Sequence, residues 1–194
     1  MSYLLEILGH GLLAELSAAF SDLLHDDGHF STAELQQAID RNPQAAEPYI
    51  ALAARCLSGH DYAGARTALE SALLGDPACL SARVGLACVC DALGQTESAV
   101  EHLERAHRDH PDDATVLFAL GYCHEKLARL DQAVAEYTAC LAVAPNLRNA
   151  HERLAAINLK QDQLDEAIHH YEQICWYEPG EVVPLLTLAN LFIR

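Results

Sequence analysis

The sequence has few basic residues, and this shortage limits the partners that the chain can have. Only 12 of its 194 residues are Lys or Arg against 28 Asp and Glu, so the formal net charge is −16, and the first basic residue is Arg41. Binding to a nucleic acid or to an anionic membrane surface needs clustered Lys and Arg, so both are excluded. An apolar or basic protein partner is favoured, although the acidity also serves solubility without any partner.

Long uncharged apolar runs are absent as well. No window of the sequence is long and uncharged enough for a membrane-spanning helix. The apolar start of the chain, MSYLLEILGHGLLAELSAAFSDLL, lacks the positive region of a signal peptide and is interrupted by Glu6, Glu15 and Asp22. Its apolar residues have helical spacing, which predicts an amphipathic helix within residues 1–30 that packs on protein.

The sequence also lacks the patterns of a disulfide framework, a metal site or an active site. Its seven cysteines are odd in number and irregular in spacing, which favours free thiols in a reducing cytoplasm. Cys88 and Cys90, two residues apart on a helix, point about 200° apart and cannot bind one ion together. Cys123 and His124 are sequence neighbours, which does not make a catalytic pair, and there is no nucleophile elbow or phosphate loop. We therefore expect no metal, no cofactor and no enzymatic activity.

The seven prolines all follow one period. Five of them, at 43, 77, 111, 145 and 179, are 34 residues apart, and the remaining two, at 48 and 184, are separated by four such periods. Because proline is not tolerated in a helix interior, these positions mark helix boundaries. A fixed period of this size is typical of a repeat architecture. With the repeated proline at position 32, the repeats are 46–79, 80–113, 114–147 and 148–181, with a half repeat at 31–45 and a partial repeat at 182–194.

Other columns share the period. Position 7 is always leucine: Leu52, Leu86, Leu120, Leu154 and Leu188. Position 8 is always small: Ala53, Ala87, Gly121, Ala155 and Ala189. Position 20 is alanine in all four full repeats: Ala65, Ala99, Ala133 and Ala167. Large residues fill a seam between two helices, and small residues let the helices approach closely.

These columns resemble the tetratricopeptide repeat family. Its pattern has an aromatic residue at position 4, Leu at 7, Gly or Ala at 8, Tyr at 11, Ala at 20, an aromatic residue at 24, Ala at 27 and Pro at 32. Repeats 46–79 and 114–147 match best, while positions 4 and 11 depart from the pattern in several repeats. The resemblance implies an all-α fold, a right-handed superhelix (α-solenoid) of stacked antiparallel helix pairs with a concave groove. Upstream, residues 31–43 match only the second half of a repeat, where Ser31 and Glu34 predict a capping box.

The resemblance also implies a binding surface. In this family positions 2, 5, 9 and 12 of each first helix line the groove. With Arg153 at position 6, the predicted peptide-binding groove comprises Glu47, Ile50, Ala54, Ser81, Val84, Cys88, Asp91, Thr115, Phe118, Tyr122, Glu125, Asn149, Glu152 and Arg153. Its centre is apolar, with Phe118 and Tyr122 as the largest anchors, and acids lie towards its margins. Such a groove suits a peptide or helix with apolar and basic residues, and the carboxylate clamp of some members is not expected. The alternative is a groove that is empty or filled by the chain's own N-terminal helix.

Two other functions stay open. The partial repeat 182–194 supplies a first helix without its second, so Leu185, Leu188 and Phe192 would lack a partner. This predicts either a homo-oligomer, a self-assembling scaffold that associates through its C-terminal helix and apolar N-terminal helix, or a repeat segment of a longer enzyme. The leading prediction is a protein-binding scaffold without catalysis.

Overall fold

The computed structural model describes residues 4, 31–180 and 182–192. In these residues it contains helices and turns and no strand, which confirms the all-α fold class. The helices are α1 (Thr32–Arg41), α2 (Ala46–Ser58), α3 (Tyr62–Gly75), α4 (Leu80–Ala92), α5 (Thr96–Asp109), α6 (Ala114–Lys126), α7 (Leu130–Val143), α8 (Arg148–Lys160), α9 (Leu164–Tyr177) and α10 (Val182–Phe192). The predicted N-terminal helix lies outside the described residues, apart from Leu4.

Helix boundaries follow the proline period. First helices begin at residues 46, 80, 114, 148 and 182, and second helices begin at residues 62, 96, 130 and 164, each 34 residues after the last. All five periodic prolines lie in short turns between helices, and Pro48 and Pro184 lie in first helical turns. This placement confirms the prediction that the prolines mark helix boundaries, because proline is tolerated only at those positions.

The turn inside each helix pair has a common backbone conformation. Position 15 has a positive φ in all four repeats, with values of 59° at His60, 74° at Gly94, 58° at Ala128 and 59° at Asp162. The next residue then donates its N–H to the carbonyl of position 11, as from Asp61 to the Cys56 oxygen at 2.8 Å. This left-handed residue closes the end of the first helix and reverses the chain.

The helices form two compact units. The first unit ends at Pro111, and the second begins at Asp112. In the first unit α1 packs on α2, and α2 to α5 pack in sequence order; in the second unit α6 to α10 do the same. The small residues of positions 8 and 20 are buried in all four full repeats. The small columns therefore lie where two helices approach closely, as the sequence predicts.

The start of α1 confirms the predicted capping box. The Glu34 carboxylate accepts from the backbone N–H of Ser31 at 2.8 Å, and the Glu34 N–H donates to the Ser31 hydroxyl at 3.2 Å. These bonds satisfy amide groups that a helix start otherwise leaves open. Among the described helices, none is both long and apolar enough to cross a membrane.

Candidate protein-binding surfaces

In the first unit, most of the predicted groove residues are buried. Ile50, Ala54, Val84, Cys88 and Asp91 are between 1% and 8% exposed. Of the predicted set in this unit, Glu47 is exposed and Ser81 is half-buried. The apolar part of the predicted groove on α2 and α4 therefore offers little open surface.

Phe118, one of the two predicted aromatic anchors, lies in the core of the second unit. Its side chain is 1% exposed, and its ring centroid is 5.6 Å from that of Tyr137 on α7. Position 5 predicts a groove anchor here, whereas the structure buries Phe118 and packs its ring against Tyr137, from the second helix of the same repeat.

Tyr122, the other predicted anchor, is half-buried on α6 and contacts the next repeat. The guanidinium carbon of Arg153 lies 5.5 Å from the centroid of the Tyr122 ring, within the range of a cation–π contact. Arg153 Nη1 is also 3.7 Å from Glu125 Oε1, and Lys160 Nζ is 3.8 Å from the same oxygen. The Tyr137 hydroxyl donates to Glu125 Oε2 at 3.2 Å. We call Tyr122, Glu125, Arg153 and Lys160 the Tyr122 surface.

The Tyr122 surface brings three predicted residues together and adds one that was missed. Lys160, at position 13, was not predicted, although a basic residue directly after the last groove position, position 12, was the available signal. Its side chain is 64% exposed, whereas that of Glu125 is 13% exposed. The surface therefore presents an aromatic face and two cations that compensate a carboxylate beneath them.

The Tyr122 surface does not include the other predicted groove residues of the second unit. Thr115 is exposed and Asn149 is half-buried. Glu152 accepts from Arg148 Nε at 2.8 Å, and Arg148 Nη1 is 2.8 Å from Glu178 Oε2 at the end of α9. Glu152 is thus already paired by an arginine of its own helix.

A pair of histidines between α8 and α9 was missed by the sequence analysis. His151 Nε2 is 2.9 Å from the Pro145 carbonyl, and its Nδ1 is 3.0 Å from Nδ1 of His170. Because a carbonyl only accepts, His151 donates through Nε2, and in the neutral pair its Nδ1 accepts from His170. Burial, followed by the neighbouring His151 and His169, lowers the pKa of His170 to about 4. The pair connects the turn before α8 to α9 through neutral rings.

The residues predicted for self-association lie on α10. Leu185 is 45% exposed, Leu188 is half-buried, and the side chain of Phe192 lies outside the described residues. Five further apolar side chains are exposed that were not selected from the sequence. Val182, Val183 and Leu186, at 62%, 66% and 59%, extend the apolar patch on α10, and Trp176 and Tyr177, at 79% and 41%, lie at the end of α9. The absence of any polar residue in VVPLL was the signal that could have identified part of this patch.

Burial makes four of the seven thiols poorly suited to chemistry. All seven cysteines are free. Burial raises the pKa of the Cys140 thiol to about 11, and burial also raises the pKa of Cys56, Cys79 and Cys90. Since the thiolate is the nucleophile, these thiols are weakly reactive near neutral pH. No group of three His, Cys, Asp or Glu in the described ranges is arranged to hold a metal ion.

Comparison with known protein families identifies the family to which this architecture belongs. Two family models described as tetratricopeptide repeat match residues 50–106 and 92–157, and together they span more than half of the chain. The chain belongs to the tetratricopeptide repeat family. Tetratricopeptide proteins bind protein partners, so membership supports the general class of a protein-interaction scaffold.

Solved tetratricopeptide structures share the fold at low sequence identity. PilW, described as a widely conserved type IV pilus biogenesis factor, has 17% identity and a TM-score of 0.73, with 94% of this chain and 85% of PilW covered. A thermophilic tetratricopeptide protein from Thermus thermophilus has 21% identity and a TM-score of 0.68, with 95% and 99% covered. YrrB, described as having an unusual peptide-binding site, has 19% identity and a TM-score of 0.65, with 96% and 87% covered.

Proposed function

We propose that this tetratricopeptide protein binds a segment of a partner protein at the Tyr122 surface. The observation that carries the proposal is the position of Tyr122, the predicted groove aromatic that keeps accessible surface and lies against Arg153 of the next repeat. Aromatic and arginine side chains contribute most to binding energy at protein interfaces. The similar structure of YrrB, a tetratricopeptide protein with an unusual peptide-binding site, supports a peptide as the ligand type.

The proposed partner segment is apolar and basic. Residues 112–194 contain 12 acidic and 6 basic residues, and residues 1–111 contain 16 and 6, so each part of the chain has an excess of negative charge that attracts cations at long range. Lys160 is largely exposed, and its Nζ lies as far as 3.8 Å from Glu125 Oε1. Lys160 is therefore a weak partner for that carboxylate. A partner lysine or arginine can replace Lys160 at Glu125 while an apolar side chain packs on the Tyr122 ring.

Binding without catalysis is part of the same proposal. Four thiols have a raised pKa and the histidine pair is held by hydrogen bonds, so neither supplies an activated nucleophile. Seven free cysteines favour a reducing compartment such as the cytoplasm.

Peptide selection tests the proposal. Random 12-residue peptides are selected on the full chain, and affinities are measured by fluorescence anisotropy. We expect the selected peptides to combine large apolar residues with Lys or Arg and to lose about tenfold or more in affinity on Tyr122→Ala. Tyr122→Phe, which keeps the ring, should lose much less.

The matched control is Tyr177→Ala, which removes a part-exposed tyrosine elsewhere in the second unit. Its effect on the selected peptides should be within about twofold. Selected peptides that are acidic, or that bind Tyr122→Ala and the wild type equally, would contradict the proposal.

Self-assembly is a second candidate function, favoured by one specific observation. Apolar side chains of α10 are unusually open, with Val182, Leu185 and Leu186 between 45% and 62% exposed. Contiguous exposed apolar surface of this kind marks interaction sites in proteins.

A further inference from the structure

The helix α10 has two apolar faces, and within the described residues one of them is buried while the other is exposed. Pro184 and Leu191 are buried, and they lie on the inner face. The outer face carries Val182, Leu185, Leu186 and Ala189, all exposed. Their spacing of i, i+3, i+4 and i+7 forms a continuous stripe of the kind that packs on another helix.

Position 8 shows that the open stripe has the form of a helix-packing site. Ala53, Ala87 and Ala155 are at most 1% exposed, and Gly121 is buried. Ala189 occupies the same position on α10 and is exposed. A small side chain at this place lets a facing helix come close.

The absence of charge indicates which partner fits. Residues 182–192 contain no Asp, Glu, Lys, Arg or His, whereas each of the other described helices contains at least one. With a net charge of −16, two copies of this chain repel each other over most of their surface, and an uncharged patch minimises that repulsion. A basic partner has no charge to pair with there.

The stripe is also complementary to itself. When two copies of α10 lie antiparallel about a two-fold axis between Leu185 and Leu186, the register places each Val182 opposite the other copy's Ala189. Each Leu185 then lies opposite the other copy's Leu186, so large residues meet small ones at the ends of the stripe and leucines fill its centre. Symmetric pairing of one patch with itself is the commonest interface of homo-oligomers.

We propose that α10 binds the α10 of a second copy of this chain in this antiparallel arrangement. The proposal deepens the self-assembly function described above and rests on it. It is separate from the Tyr122 surface, which lies on α6 and α8.

Solution mass tests the association itself. Light scattering on a sizing column is run on the full chain from about 1 to 200 µM, the range of weak to moderate association. We expect the mass to rise to that of a dimer, and Leu186→Glu to weaken association at least about tenfold. Leu74→Glu is the matched control, because Leu74 is 86% exposed on α3 and should leave the mass unchanged. A wild-type monomer at every concentration would overturn both self-assembly and this interface.

The geometry is tested separately by mixing variants. Val182→Lys and Ala189→Glu should each dissociate alone, and their mixture should form heterodimers, because the two positions face each other. A mixture of Val182→Lys with Val182→Glu should stay monomeric, since those positions lie at opposite ends of the antiparallel stripe. Rescue by the second mixture indicates parallel packing and overturns the register.

A dimer that Ala189→Glu leaves intact but Leu12→Glu dissociates assigns association to the N-terminal segment and overturns the α10 interface.

Discussion

His170 lies against His151 at the α8–α9 hairpin, and this contact makes stability depend on pH. A histidine in the unfolded chain takes up a proton at about pH 6.5. Burial and neighbouring histidines lower the pKa of folded His170 to about 4. Between these values the unfolded state binds more protons, so stability falls as the pH falls.

We expect His170→Gln to reduce that pH dependence. The glutamine amide can still donate to His151 but does not titrate in this range. Between pH 7 and 4.5 the variant should lose about 1–2 kcal/mol less unfolding free energy than the wild type, a figure reduced for the partial exposure of the pair. Urea unfolding followed by circular dichroism measures both slopes.

His169→Gln provides the control for the histidine pair. His169 is exposed on the same helix and is the smallest of the three causes that lower the His170 pKa, so its removal should change the slope much less than removal of His170. Equal slopes for the wild type and His170→Gln would show that other groups, the many carboxylates first among them, account for the acid sensitivity.

At the scale of a helix pair, stability depends on how closely two helices approach. A Cβ placed on Gly121 would lie 2.7 Å from carbons of the Tyr137 ring, well inside normal contact distance. Gly121→Ala should therefore lower the unfolding free energy by about 1–3 kcal/mol, enough to outweigh the roughly 1 kcal/mol that alanine gains over glycine in a helix.

A double-mutant cycle identifies the cause, with unfolding measured in urea. The first two repeats use Ala with Leu at these two positions, so Gly121→Ala with Tyr137→Leu copies an arrangement already present in the chain. The double variant should lose less than the sum of the single losses, with a coupling of about 1 kcal/mol or more. Tyr137→Leu alone also removes the hydrogen bond to Glu125. Additive losses would show that the Tyr137 ring does not limit the approach.

These elements also show what the sequence can predict. Helix boundaries and small columns were visible because proline and close packing restrict single positions in a regular period. The left-handed turn at position 15 was not visible, because His60, Ala128 and Asp162 hold it in three repeats and glycine only in one. The binding surface was harder to predict from the sequence than the turn. Phe118 and Tyr122 are one helical turn apart, and the packing of neighbouring helices decides that the first is buried and the second partly exposed.

At the scale of the whole molecule, the excess of negative charge opposes folding. The 28 acidic and 12 basic residues repel one another on balance, and the repulsion is greatest when the chain is folded into a small volume. Salt shortens the range of these interactions from about 30 Å at 0.01 M to about 8 Å at 0.15 M. Raising NaCl from about 0.01 to 0.3 M at pH 7.5 should therefore raise the Tm by several degrees, equivalent to about 1–2 kcal/mol.

The pH of the experiment separates charge from other effects of salt. Near pH 4.9, the isoelectric point of the sequence, net repulsion vanishes and the same increase in NaCl should leave the Tm almost unchanged or lower it slightly by screening ion pairs such as Arg148–Glu178. Scanning calorimetry at both pH values measures the two increments. An equal increase at pH 4.9 would show that salt acts through hydration of apolar surface, in which case the acidity of the chain places little strain on the fold and its role lies in solubility and partner choice.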